Sequence, residues 1–246
     1  VRISVAIITL NAAQDLERCL ASAAFADEVI VLDQHSTDDT AAVCARQGAV
    51  LHQTEWLGFG PTKAKAVSLC RNDWVLSLDS DEAVTPELAA AIEALEDNPA
   101  AAAFAVNRLS RFLGRWIRHC GWHPEYVIRL FDRRRSGFND LPVHESIETE
   151  GAVERLTGLL HHYTYDTMEQ YIEKLNRYTT LAAEDLYRSG RRATPAQAVV
   201  RSQAAFWRMW VLQGGILDGA QGTALCLASS FYVLSKYIKL WRLDRP

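Results

Sequence analysis

At 246 residues the chain is long enough to bury a core without staples, and 49% hydrophobic with 23% charged residues makes it globular rather than disordered. A net charge of −4 argues against a general nucleic-acid binder, and five scattered cysteines, odd in number and never spaced Cys-x-x-Cys, suggest neither a disulfide framework nor a zinc site. That usage fits a reducing cytosol; the first residues read directly as a strand with no leader pattern, and no apolar run is long enough to predict a membrane span.

Ile3 to Leu10 is apolar and β-branched, which predicts a strand, closed by Asn11 before a helical pattern carrying Leu16, Cys19, Leu20 and Ala23. Glu28 to Leu32 predicts the next strand. It runs into a segment from Asp33 to Thr40 whose Ser, Thr and Asp side chains suit the start of a helix ending at Gly48. Ala49 to Gln53 predicts a third strand, Gly58 to Pro61 a turn, and Thr62 to Cys70 a helix carrying Lys63 and Lys65. Trp74 to Leu78 reads as a strand buried on both faces that empties into Asp79-Ser80-Asp81-Glu82. Thr85 and Pro86 then open a helix to about Glu96. Strand and helix alternating this regularly imply an α/β fold, with a mostly parallel sheet and right-handed crossovers.

In such sheets ligands bind beyond the carboxyl ends of the strands, where the sequence places Asn11, Asp33 and Asp79 to Asp81. Asp79 and Asp81 are two apart, so in extended backbone they share a side, and a slight turn at Ser80 lets both reach one hard cation able to hold a diphosphate; a solvated acidic turn is the plainer reading. Asp33 suits hydrogen bonds from a ribose or base N–H, or the capping of its own turn. Lys63 or Lys65 suits a phosphate at a helix start, or simple solvation. Neither a Gly-x-Gly-x-x-Gly nor a P-loop pattern is present.

Taken together, Thr9-Leu10-Asn11, Asp33 with Ser36-Thr37-Asp38, Trp56 to Pro61 with Lys63, and Trp74 to Glu82 resemble inverting glycosyltransferases of family 2. Further motifs resemble the lipopolysaccharide-core glucosyltransferases of the WaaE/KdtX type: Gly121 to Tyr126, Arg129-Leu130-Phe131, Val143-His144-Glu145, His162 to Tyr165, Leu217-Asp218-Gly219 and Lys236 to Trp241. The resemblance implies a GT-A, Rossmann-like fold, a nucleotide-sugar donor across the strand ends and a divalent cation, Mg²⁺ or Mn²⁺, on its diphosphate. It implies Asn11 and Asp33 at the nucleoside, Lys63 near the phosphates, and Asp79 and Asp81 at the ribose and the metal, with His162 completing the metal shell. His162 as a hydrogen-bonded structural residue is the alternative. Gln34-His35 stands where the family usually has Ser-Gly, which removes an easy positive φ.

Eight arginines between Arg108 and Arg135 against Glu125 and Asp132 suggest an anionic partner, or a solvated loop face. Arg129 lies inside a predicted strand, Tyr126 to Phe131, so its charge needs a partner or a ligand such as the acceptor or the diphosphate. An inverting transfer needs a carboxylate to take the acceptor's proton; Glu145 is the candidate, with Asp140 in reserve. From Thr167 the pattern becomes long helices, to about Ser189, Leu212 and Leu240, the last ending in Tyr237, Trp241 and cations suited to membrane headgroups or to packing.

These readings predict a catalytic domain over 1–165 and a helical appendage over 166–246. Composition and spacing alone reach a nucleotide-binding α/β enzyme with a carboxylate-bound cation; the resemblance implies a metal-dependent enzyme moving a hexose, glucose from UDP-glucose, onto a lipid-linked lipopolysaccharide core sugar, in the cytoplasm at the inner face of the inner membrane. A polyprenyl-phosphate acceptor and a non-catalytic sugar-nucleotide or glycan-binding module are the alternatives.

Overall fold

The computed structural model describes residues 1–139 and 145–245. The chain divides into two compact units, one of residues 1–108 and 125–163 and one of residues 109–124 and 164–246.

The first unit begins with β1 (Ile3–Thr9), α1 (Ala13–Ser22), β2 (Glu28–Asp33), α2 (Thr40–Gln47), β3 (Val50–Gln53), α3 (Phe59–Ser68) and β4 (Trp74–Asp79). All seven residues of β1 are buried, because it pairs in parallel with β2 on one side and β4 on the other and carries helices on both faces. Ile3, Val5 and Ile7 pack with Leu16 and Leu20 of α1 and with Leu88 and Ile92 of α4 (Pro86–Glu93). Ala6 and Ile8, on the alternate face, pack with Ala66 and Val67 of α3. Strand order β3-β2-β1-β4 gives the doubly wound parallel half that the alternation predicts.

The sheet continues through β8 (Glu125–Asp132), β6 (Ala103–Phe112) and β11 (Val153–Tyr165) to β5 (Glu82–Val84). Here the β4–β8, β8–β6 and β11–β5 pairs are antiparallel. β9 (Ser136–Phe138) and β10 (Ile147–Thr149) form a separate hairpin-like pair. The third helix starts at Phe59, three residues earlier than the sequence suggests. Gly58 takes φ +97° ahead of it, and Pro61 lies in the first turn, where a missing N–H costs nothing. Thr85 caps α4 through Leu88 N–H and also accepts Leu159 N–H from β11. Gly158 comes so close to α4 that a Cβ would stand 2.4 Å from the Leu88 nitrogen, at a φ of +90°.

The second unit contains β7 (Arg115–Trp116), α5 (Met168–Arg188), α6 (Pro195–Trp207) and α7 (Gly219–Leu243), with a π-helical turn at Arg208–Leu212 and a 3₁₀ turn at Gly215–Asp218. Thr167 with Gln170 and Thr194 with Gln197 make complete capping boxes for α5 and α6. The sequence predicts residues 109–124 as part of a catalytic domain over 1–165. They pack instead with these helices, because Phe112, Ile117 and Cys120 are buried among Tyr171, Leu175, Leu225 and Cys226. Among the described residues no helix is long and apolar enough to cross a membrane. The end of α7, expected to offer cations to headgroups, turns inward in part: Leu240 is buried, and Lys239 Nζ donates to Asn176 and Thr179 of α5. All five cysteines are buried free thiols.

Candidate active site at the strand ends

Register alone assembles the first layer of the site. Thr9 at the end of β1 pairs with Asp33 of β2, and Ile8 pairs with Asp79 of β4, so both aspartates leave the sheet at one level on either side of β1. The loops that follow are stitched together by Asn11, whose N–H donates to Ser36 Oγ at 2.7 Å and whose Oδ1 accepts Thr37 N–H at 2.8 Å. Asn11 adopts φ +48°, a conformation Asn tolerates. Asp33 is buried and caps its turn, accepting Ser36 N–H at 3.0 Å and the Ser36 hydroxyl at 2.5 Å. His35, where the family commonly has Gly, still takes the left-handed conformation at φ +62°. Holding that conformation without glycine costs about 1–2 kcal/mol.

A chain of buried charges holds the second layer. Asp79 accepts Lys63 Nζ on Oδ1 at 2.7 Å and Arg129 Nη2 on Oδ2 at 2.8 Å. Lys63, on the inner face of α3, also reaches Glu145 Oε1 at 3.0 Å, while Lys65 turns away to Thr54. Arg129 reaches Glu82 Oε1 at 2.7 Å, and Glu82, fully buried, accepts the Asp79 N–H as well. Arg108 closes the chain against Glu82 and Glu125. The charge that the sequence leaves stranded in β8 is thus met by two carboxylates of the protein. Burial alone would raise the Asp79 pKa, but Arg129 and Lys63 hold the carboxyl well below the usual range. Burial works against the Arg129 cation too, and Glu82 and Asp79 outweigh it, raising its pKa.

Asp81 follows in the turn between β4 and β5, and its carboxylate lies against His162. The β5–β11 register sets His162 opposite Glu82, and Tyr163 N–H donates to the Asp81 carbonyl, which brings His162 Nε2 to 3.4 Å from Asp81 Oδ2. Among the described residues no three His, Cys, Asp or Glu side chains gather at one point for a metal. The Asp81–His162 pair is a carboxylate and an imidazole, ligand types that suit Mn²⁺. Asp140, the reserve base, lies outside the described residues.

Glu82 and Arg108 receive no role of their own from the sequence, where Glu82 reads only as the end of the acidic turn and Arg108 only as one of eight arginines. The arginine-rich stretch also dissolves as a single patch. Arg108 and Arg129 serve the charge chain, Arg133 donates to the Val67 and Cys70 carbonyls, and Arg134 pairs with Asp132 and Asp73.

The sequence model of glycosyl transferase family 2 matches residues 4–150. The chain belongs to this family. An uncharacterized glycosyltransferase of Rickettsia felis is 27% identical over 98% of this chain and 89% of its own length. The lipopolysaccharide core biosynthesis glycosyltransferase LpsC of Rhizobium meliloti is 28% identical over 98% and 92%. Among solved structures, the mannosyltransferase PcManGT of Pyrobaculum calidifontis in complex with GDP-Man and Mn²⁺ covers all of this chain and 88% of its own at a TM-score of 0.56 and 16% identity, a likeness of fold. The architecture is that of the GT-A glycosyltransferases, and this family 2 member carries its charge chain at the strand ends where that fold opens.

The carboxylates give the family 2 unit a definite acid response. Asp79, Glu28 and Asp132 all have folded pKa values below their ordinary ones. Each therefore adds stability above the unfolded value, about 3.9–4.3, and loses it as pH falls through the folded value. Melting temperature, followed by calorimetry, is expected to be flat above about pH 5 and to drop steadily below about pH 4.

Proposed function

We propose that the first unit transfers a hexose from a nucleotide sugar, with UDP-glucose as the first donor to test, onto a core sugar of a lipid-linked lipopolysaccharide acceptor, with inversion at the anomeric carbon. The convergence of Asp33, Asp79, Lys63 and Glu145 beyond the ends of adjacent strands carries the reading, and the similarity to LpsC supports the acceptor class. Glu145 takes the proton of the acceptor hydroxyl. The oxygen then bonds the anomeric carbon as the bond to the donor phosphate breaks, and the nucleoside diphosphate leaves with the electron pair. Lys63 fixes the base relative to the end of β4, since one ammonium contacts both Glu145 and Asp79. Asp33 and Asp79 orient the nucleoside and ribose, and Arg129 holds Asp79 in place. Asp81 and His162 would hold a divalent cation, which when bound neutralises charge on the departing diphosphate.

Calorimetric titration of UDP-glucose, UDP-galactose, GDP-mannose and ADP-heptose, each with Mn²⁺ and after chelation, tests the donor. Binding of one donor that disappears on chelation supports the reading. Binding of none, together with no transfer of any labelled sugar to core oligosaccharide or polyprenyl phosphate, overturns it. Asp81→Asn is expected to raise the Mn²⁺ concentration needed for half-maximal donor binding by at least the roughly 10–100-fold that even outer-shell changes cause. Donor binding by this variant with unchanged Mn²⁺ demand would remove Asp81 from the metal site.

A further inference from the structure

The two units divide the charge of the chain very unequally. The second carries fourteen lysines and arginines against seven aspartates and glutamates, a net of +7, while the first carries 12 against 23, a net of −11. From Leu186 to Leu243 the only acidic residue is Asp218. It is buried, accepting the Arg118 and His119 N–H groups and lying 3.0 Å from His119 Nδ1, so the surface of this stretch is left to cations.

The same stretch exposes its largest apolar side chains side by side. Val200 and Trp207 lie seven residues apart on α6, on one helical face, and Val211 continues that face into the π-helical turn. Leu212 is 81% exposed, and across the next turn Ile216 and Leu217 are 51% and 66% exposed. This is a built surface rather than a frayed loop. Cys120 N–H donates to the Gln213 carbonyl at 2.9 Å, Leu217 N–H to the Gly214 carbonyl at 2.8 Å, and Trp210 Nε1 to Thr223 at 3.1 Å. Arg208 and Arg118 are exposed beside it, and the Arg115 guanidinium stands against Gly219.

We propose that residues 199–217 form a docking surface for a bilayer rich in anionic phospholipid. The apolar tip enters the boundary between headgroups and acyl chains, and the arginines around it meet the phosphates. Charge decides between this and the other cover for an apolar face, a second copy of the chain. Two faces of a +7 unit repel each other, whereas an anionic leaflet attracts them. Trp207 suits the interface, having an apolar body and one polar N–H. No described helix can span the bilayer, so the contact lies in its plane. The surface does not depend on which sugar the first unit handles.

Flotation of the purified full chain with vesicles tests it, using phosphatidylcholine alone and phosphatidylcholine mixed with phosphatidylglycerol. The chain is expected to float with the anionic vesicles, poorly with the neutral ones, and less as salt rises. The double substitution Leu212→Asp and Leu217→Asp is expected to lower partitioning by roughly tenfold or more, with circular dichroism and melting unchanged because both side chains are exposed. Arg118→Glu with Arg208→Glu is expected to abolish the preference for phosphatidylglycerol. Failure of the unaltered chain to float with anionic vesicles would overturn the proposal, as would equal flotation of the Leu variant. Self-association in sedimentation equilibrium that the Leu substitutions abolish would assign the face to a second copy instead.

Discussion

Glu145→Gln is expected to lower the rate of sugar transfer by about 10²–10⁴-fold, the range that a positioned general base contributes. The amide keeps the size of the carboxylate and can still accept from Lys63, so packing around α3 is preserved while the proton acceptor is lost. Donor binding measured by calorimetry is expected to change little, because Asp33, Asp79 and the Asp81–His162 pair are untouched. Rate and binding therefore separate the base from a residue that merely shapes the pocket. Transfer at the unaltered rate would take Glu145 out of the chemistry and leave Asp140 to be tested.

Arg129→Met is expected to destabilise the chain by about 3–5 kcal/mol, the cost of removing one partner from a buried ion pair. Glu82 is fully buried, and Arg129 is its nearest cation at 2.7 Å; Arg108 remains at 3.4 Å, too far to replace it fully. The same substitution takes the guanidinium off Asp79 Oδ2, leaving Lys63 as the cation on that carboxylate. Lower stability in denaturant should therefore come with weaker donor binding at temperatures where the fold is intact. A double substitution, Arg129→Met with Glu82→Gln, removes the stranded charge as well and should recover part of the stability without recovering the binding. Recovery of both would show that Asp79 does not need Arg129 for its position.

The parallel half of the fold is written in the sequence because each strand is a short apolar run, each helix has its own start and stop residues, and the two alternate. β1 through β4 follow from Ile3 to Leu78 with boundaries that shift by a residue or so, since local pattern and burial agree there. Strand ends and spacing made Asn11, Asp33, Lys63, Asp79 and Asp81 candidates, and the family resemblance added Glu145 and His162. Parallel register turns a strand end into a fixed position, so Asp33 and Asp79 had to arrive together.

What each side chain does on arrival depends on contacts made far along the chain, and no local pattern encodes those. Arg129 read as a charge needing a partner or a ligand, and only the pairing of β8 with β4 set it against Asp79 and Glu82. Asp79 and Asp81 stand two apart in the chain, and only the tertiary structure set the first against Lys63 and Arg129 and the second against His162. Residues 109–124 read as part of the catalytic region by their place in the chain, yet Phe112, Ile117 and Cys120 are buried with the C-terminal helices. Composition and periodicity determined the layers and the level at which chemistry-bearing residues leave the sheet. Only the tertiary structure decided which opposite charges meet, because in a buried setting each charge takes the partner that long-range pairing supplies.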